Sequence, residues 1–240
     1  MAELGKKVIH PGGNRSTKEL LSMAALKNSD NVLDVGCGVG TTAIDIAKRF
    51  GCNVTASDID SNMLHKAEQQ LNNSNLTSNV KIQKADIQNM PFSDNEFDTV
   101  LVEAVTMFVN RKKAVEELCR VCKPKGKVIE HEFIWRKKPT AEARRIFEGE
   151  VCPGIKFDTE DDWINLYNQN GFDVVKSVTG PFVMMSPTGF LQDEGIVGTI
   201  SMMGKAMSRK AYRKKMMWLM SRIMKVRNSL GYIVFSAVKN

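Results

Sequence analysis

Residues 32–40 read Val32-Leu33-Asp34-Val35-Gly36-Cys37-Gly38-Val39-Gly40. A short apolar run suited to a buried strand enters a glycine turn, and Thr41 to Phe50 then carries the pattern of a helix stopped by Gly51. Glycine is needed where backbone takes positive φ or must approach a ligand closely. The helix that follows offers N–H groups with no partner of their own. Dinucleotide, flavin and nucleoside sites share this arrangement. The spacing of Gly36, Gly38 and Gly40 is short for the dinucleotide fingerprint. Asp34, just before the turn, suits a cationic amine better than a pyrophosphate. A ligand other than NAD is favoured.

Outward from this turn the same unit recurs. Strands are expected at 53–57, 80–84, 98–102, 127–133, 172–178 and 231–238. Helices are expected at 16–27, 61–71 with Ser61 as cap, 111–122, and from Thr159 to Gly171. Alternation of this kind predicts an α/β fold, a Rossmann-like doubly wound sheet. Two stretches break the rhythm: 134–158, with a short helix near Thr140 to Glu148, and 181–230, far longer than a hairpin loop needs. The chain is read as a single domain over 1–240, with an N-terminal lid or helix at 1–29. The insertions 134–158 and 181–230 form a substrate-side cap.

Asp58 closes the second strand and Asp86 follows the third. A carboxylate at the first position can accept both hydroxyls of a ribose, and one at the second can accept from an adenine amino group. Either acid alone reads as a helix cap or a solvated turn. Three acids at three consecutive strand ends, beside a glycine turn, read as a ligand site.

Composition sets the outer bounds. The chain has 240 residues, 42% hydrophobic and 25% charged, enough for a sizeable core and too apolar for wholesale disorder. No apolar run reaches a spanning length, and the N-terminal residues lack the pattern of a signal peptide. Five scattered cysteines make no disulfide framework, so a reducing, cytoplasmic setting is expected. The formal charge of +7 is local. Residues 201–240 hold ten Lys and Arg and no acid, leaving 24 basic and 27 acidic groups, a net of −3, in residues 1–200.

The series VLDVGCGVG, SDID, ADIQNMPFSDNEFDTV and EELCRVCKPKGKV resembles the class I S-adenosylmethionine-dependent methyltransferases, and within them the small-molecule, UbiE-like branch. The resemblance is close over about 30–134 and loose over 8–30 and 171–240. It implies a seven-stranded sheet of order 3-2-1-4-5-7-6 with the last strand antiparallel, and S-adenosyl-L-methionine as cofactor. It also implies cofactor contacts from Asp34, Gly36, Cys37, Gly38, Gly40, Asp58, Ile59, Met63, Asp86, Ile87 and Glu103, the last lining the methyl-transfer face. The family's usual R-V-L-K-P-G-G is Arg120-Val121-Cys122-Lys123-Pro124-Lys125-Gly126 here, with Cys for Leu and Lys for the first Gly. The segment holding His10 is expected to fold over the cofactor.

The acceptor chemistry is less legible. The methyl of a sulfonium is already electrophilic, so the protein's work is mainly alignment and exclusion of water, with a base only where the nucleophile carries a proton. His131, at the end of strand five, reads equally as a substrate-facing group or as a hydrogen-bonded core histidine. Glu103 reads as a base or, more simply, as a polar neighbour of the cofactor, and His10 as a third catalytic candidate in the N-terminal lid or as a solvated residue before Pro11. His65, on a helix, is expected to be inert. Cys119 and Cys122 read as core packing, and no metal is expected.

Expected partners follow from the same residues. The segment after strand four lacks the proline pair of base-amine methylases, and the basic excess has no interleaved stacking aromatics, so nucleic acid is disfavoured. From Met202 to Leu230, Tyr212, Met216, Leu219, Met220, Ile223 and Val226 share helical spacing. That segment reads as a lid packed on the domain, a Met-lined pocket wall, or a peripheral membrane contact. The favoured function is methyl transfer to a small lipophilic or aromatic metabolite. The alternatives are a tRNA or protein methyltransferase docking through 201–230, and a cofactor-binding regulatory protein without catalysis.

Overall fold

The computed structural model of the chain describes residues 11–183, 186–208 and 210–240. In chain order the elements are α1 (Gly13–Ala24), β1 (Asn31–Val35), α2 (Thr41–Phe50), β2 (Asn53–Asp58), α3 (Ser61–Asn72), β3 (Val80–Lys84) and β4 (Phe97–Glu103). They continue with α4 (Arg111–Val121), β5 (Cys122–Trp135), α5 (Ala141–Arg144), α6 (Glu160–Asn168), β6 (Phe172–Pro181), α7 (Pro187–Ser208), α8 (Lys210–Val226) and β7 (Leu230–Lys239). A 3₁₀ turn, Thr106–Phe108, follows β4, and a π-helical segment, Arg145–Val151, extends α5. The strands form one sheet in the order β3-β2-β1-β4-β5-β7-β6, with β7 antiparallel, as the resemblance implied.

Register explains why chemistry gathers at one edge. β1 lies parallel between β2 and β4, with Val35 opposite Ser57 on one side and Val102 on the other. Asp58 faces Lys84 at the end of β2, and Glu103 faces His131 at the end of β4. Parallel pairing therefore brings the carboxyl ends of four strands together where the strand order reverses, the place where open α/β sheets bind ligands.

Two units can be distinguished within the chain. The larger comprises Leu20–His131, Asp161–Val178 and Val234–Asn240. Its middle strands are near-continuous apolar runs because helices cover both faces, and Leu33, Val100, Leu101 and Val102 are wholly buried. Tyr167 of α6 donates its hydroxyl hydrogen to Glu130 of β5 and sets its ring edge-on to Phe235 at 4.8 Å. The smaller comprises Met1–Glu19, Glu132–Glu160 and Thr179–Ile233. Its core is aromatic: Trp135 stacks on Phe157 at 4.8 Å, Phe147 meets Phe157 edge-on at 5.4 Å, and Phe133 lies within 5.9 Å of Phe182. The Trp135 indole N–H donates to Glu148 at 3.0 Å, which satisfies the buried ring's polar end.

Two local expectations are corrected. The cap of α3 is Asp60, whose carboxylate accepts from the Asn62 N–H at 2.8 Å, while the Ser61 hydroxyl accepts from the Lys84 ammonium at 2.9 Å. β5 begins at Cys122 rather than Lys127, but its pairing jumps from Phe97–Cys122 to Thr99–Lys127, so residues 123–126 buckle out of register. Lys125 stands in that buckle at φ 62°, a left-handed conformation that accounts for the glycine usual at this place in the resembling sequences.

Candidate active site

The glycine turn is built by its own backbone and by Asp58. Gly36, Gly38 and Gly40 all have positive φ, and a Cβ on Gly36 would sit 2.3 Å from a methyl of Val105. Only glycine satisfies both conditions there. The Cys37 N–H donates to the Ser57 carbonyl, and the Gly38 N–H to one Asp58 carboxylate oxygen, each at 2.9 Å. The other Asp58 oxygen accepts from the Asp60 N–H at 2.9 Å. Asp58 thus ties the turn to the end of β2 while its carboxylate faces a cleft.

That cleft measures about 290 Å³. Gly36, Asp58, Ile59, Asp86, Ile87 and Glu103 line it together, so six of the residues singled out in the sequence converge. Asp34 lies behind the turn, 2% exposed, with one carboxylate oxygen that has no protein partner. Burial first, then the charges of Glu103 and Asp58, push its carboxyl up to about 8, against the pull of the Ala43 N–H. Cys37, Gly38 and Gly40 belong to the turn but not to the lining, and Met63 is half-buried on α3, also outside it. His10 lies outside the described residues.

Glu103 is held from two sides. One oxygen accepts from the Thr42 hydroxyl at 2.9 Å, and the other lies 3.7 Å from Nδ1 of His131. His131 is fully buried and does not line the cleft; its carbonyl accepts from the Ala104 N–H at 2.7 Å. Ala104 itself has φ 59°, an uncommon conformation for a residue with a Cβ, and it turns the chain so that Val105, Phe108 and Val109 complete the wall. These lining residues, and Thr42, carried no signal in the sequence. Ile59 and Phe108 are 62% and 57% exposed, two large apolar side chains on the rim.

The electrostatics have one sign. Asp58, Asp86 and Glu103 line the cleft, and no Lys or Arg among the described residues lines it. Such a site favours a cationic ligand and opposes a pyrophosphate. The thiols are not activated: burial pushes Cys37, Cys119, Cys122 and Cys152 above the ordinary range, Cys122 to about 12. None is poised as a nucleophile.

Residues 33–129 match the methyltransferase domain family. An uncharacterized protein of Haemophilus influenzae is 33% identical over 214 residues, covering 86% of this chain and 84% of that one. The uncharacterized methyltransferase YodH of Bacillus subtilis is 32% identical over 173 residues, 71% of each chain. Among solved structures, an S-adenosylmethionine-dependent methyltransferase from Geobacter sulfurreducens, in complex with S-adenosyl-L-homocysteine, superposes with a TM-score of 0.75 at 18% identity. That superposition covers 98% of this chain and 94% of the other.

Proposed function

The chain belongs to the class I S-adenosylmethionine-dependent methyltransferases, and from that premise we propose that it methylates a small lipophilic or aromatic metabolite. One observation carries the acceptor class. Beside its acids the cleft is walled by Val105, Phe108 and Val109, with Ile59 on the rim and no basic side chain among the described residues. An apolar wall favours an apolar or ring-shaped acceptor, and the missing cations disfavour a polyphosphate backbone.

The cofactor, when bound, supplies a methyl group made electrophilic by the positive sulfur. The chain's own groups fit it. The unpartnered Asp34 oxygen can accept from the cofactor's ammonium, and the anionic cleft offsets its positive charge. Asp58 keeps acceptor capacity for the ribose hydroxyls after its two backbone bonds, and Asp86 with Ile87 borders the adenine end. The Gly36 turn lets backbone approach closely.

Where the acceptor loses a proton, Glu103 takes it. Glu103 reaches the cleft, held by the Thr42 hydroxyl at 2.9 Å, whereas His131 stands behind it with Nδ1 at 3.7 Å. Glu103→Gln should lower kcat by on the order of 100-fold, the usual size of a general-base effect. Affinity for S-adenosylhomocysteine should change little. Equal kcat in the variant would make Glu103 a neighbour of the cofactor and nothing more.

Radiolabelled methyl transfer tests the acceptor class. The chain is incubated with methyl-tritiated S-adenosylmethionine and a panel of phenols, quinols and polyketide-like alcohols, with tRNA and mixed protein in separate arms. Label in the organic extract supports the reading. Label confined to precipitated RNA or protein overturns it.

A further inference from the structure

Helix α7 is broken at Gly195, whose φ of 69° and ψ of 178° are open only to glycine. After the break, Ile196, Ile200, Met203 and Met207 recur at i, i+4, i+7 and i+11, one stripe along one helix face. A stripe of this kind ordinarily packs on the rest of the chain. Here its four members are 43–70% exposed, and Val197 beside them is more exposed still. α8 behaves differently: Ile223 and Val226 are buried, Tyr212, Met216, Leu219 and Met220 half-buried, and Arg222 pairs with Glu150 of the π-helical segment at 2.8 Å. Its outward side carries exposed Met217, Trp218 and Met224.

Beyond Gly195 the charges carried by α7 and α8 share one sign. Lys205, Lys210, Arg213, Lys214 and Lys215 are exposed, and no acid follows Glu194 in the sequence. Exposed apolar side chains set among cations match a helix lying in an anionic lipid interface, and no helix among the described residues is long and apolar enough to cross a membrane. A second copy of the chain would bring the same cations face to face, and an RNA groove would leave the Ile and Met side chains with nothing to bury them.

We propose that the α7–α8 face docks on the surface of an anionic lipid bilayer, with Ile196, Ile200, Met203 and Met207 entering the headgroup boundary and the lysines meeting lipid phosphates and carboxylates. Docking of this kind brings the enzyme to where lipophilic acceptors dissolve. That consequence rests on the acceptor class proposed above; the docking itself does not.

Co-sedimentation of the full chain with phosphatidylcholine vesicles, with and without phosphatidylserine, tests it. Binding should require phosphatidylserine and weaken with salt. Lys210→Gln, Lys214→Gln and Lys215→Gln together should reduce partitioning on the order of 100-fold, about fivefold for each charge. Ile196→Ser with Ile200→Ser should reduce it at least about tenfold. Both variants should keep S-adenosylhomocysteine affinity, which shows that they are folded. Three results would overturn the proposal: no phosphatidylserine-dependent sedimentation, binding that ignores the isoleucine substitutions, or a vesicle-free dimer that those substitutions dissolve. Salt-sensitive retention of RNA without vesicle binding would assign the face to nucleic acid instead. Vesicle docking by a chain that labels no lipophilic acceptor would leave the docking standing and remove only the acceptor class.

Discussion

Replacing Asp58 with alanine should weaken S-adenosylhomocysteine binding by about 100- to 1,000-fold, because two charge-assisted hydrogen bonds to one diol contribute on the order of 3–4 kcal/mol together. The loss has two parts. The carboxylate that lines the cleft disappears, and so does the acceptor that holds the Gly38 N–H at 2.9 Å, which fixes the course of the turn. Asp58→Asn separates them. Its one amide oxygen can keep either the Gly38 or the Asp60 N–H but not both, and it carries no charge, so an intermediate loss is expected. The fold should survive, since β2 stays paired to β1 and β3 along its whole length. Calorimetric titration of both variants checks the order. Affinity within about threefold of the parent for Asp58→Ala, well inside the effect of one charged hydrogen bond, would sink the ribose assignment.

What could be read from the sequence follows from how local each signal is. A strand, a glycine turn and a capped helix are neighbours in the chain, so Val32 to Phe50 declared itself, and the acids at 34, 58 and 86 fell at strand ends that apolar runs already marked. The far wall of the cleft is different. Phe108, Val105 and Val109 reach it only because Ala104 adopts φ 59° and a 3₁₀ turn follows, and neither has a signature in the residues involved. His131 was placed at a strand end, but its burial behind Glu103 depends on the β4–β5 register, which is a long-range property. The basic tail shows the same limit. Helical spacing from Tyr212 onward identified the inward stripe of α8, while the outward stripe of α7 starts at Ile196, where a glycine break resets the helix phase.

Asp34 should make both cofactor affinity and stability depend on pH, in opposite directions. Its carboxyl ordinarily titrates near 4, and burial with Glu103 and Asp58 nearby moves it up to about 8 in the folded, ligand-free chain. Between those values the folded chain holds a proton that the unfolded chain has released. The stability that Asp34 contributes is therefore fully present below about pH 4 and is lost as pH rises to about 8. A cationic ammonium beside Asp34 reverses the preference by favouring the carboxylate, so binding expels the proton. Affinity for S-adenosylhomocysteine should rise by about tenfold from pH 6 to 7 and about fivefold more from pH 7 to 8, with close to one proton released per molecule bound near pH 7. Titrations in buffers of different ionisation heat count that proton directly. Asp34→Asn keeps an oxygen for the Ala43 N–H but cannot ionise. The variant should melt higher than the parent at pH 8 without ligand, show a flatter stability profile, and bind the cofactor product on the order of 100-fold more weakly, the size of a lost buried ion pair. A parent affinity that stays level from pH 6 to 8 would mean that the ammonium is held elsewhere, and that Asp34 serves the turn rather than the ligand.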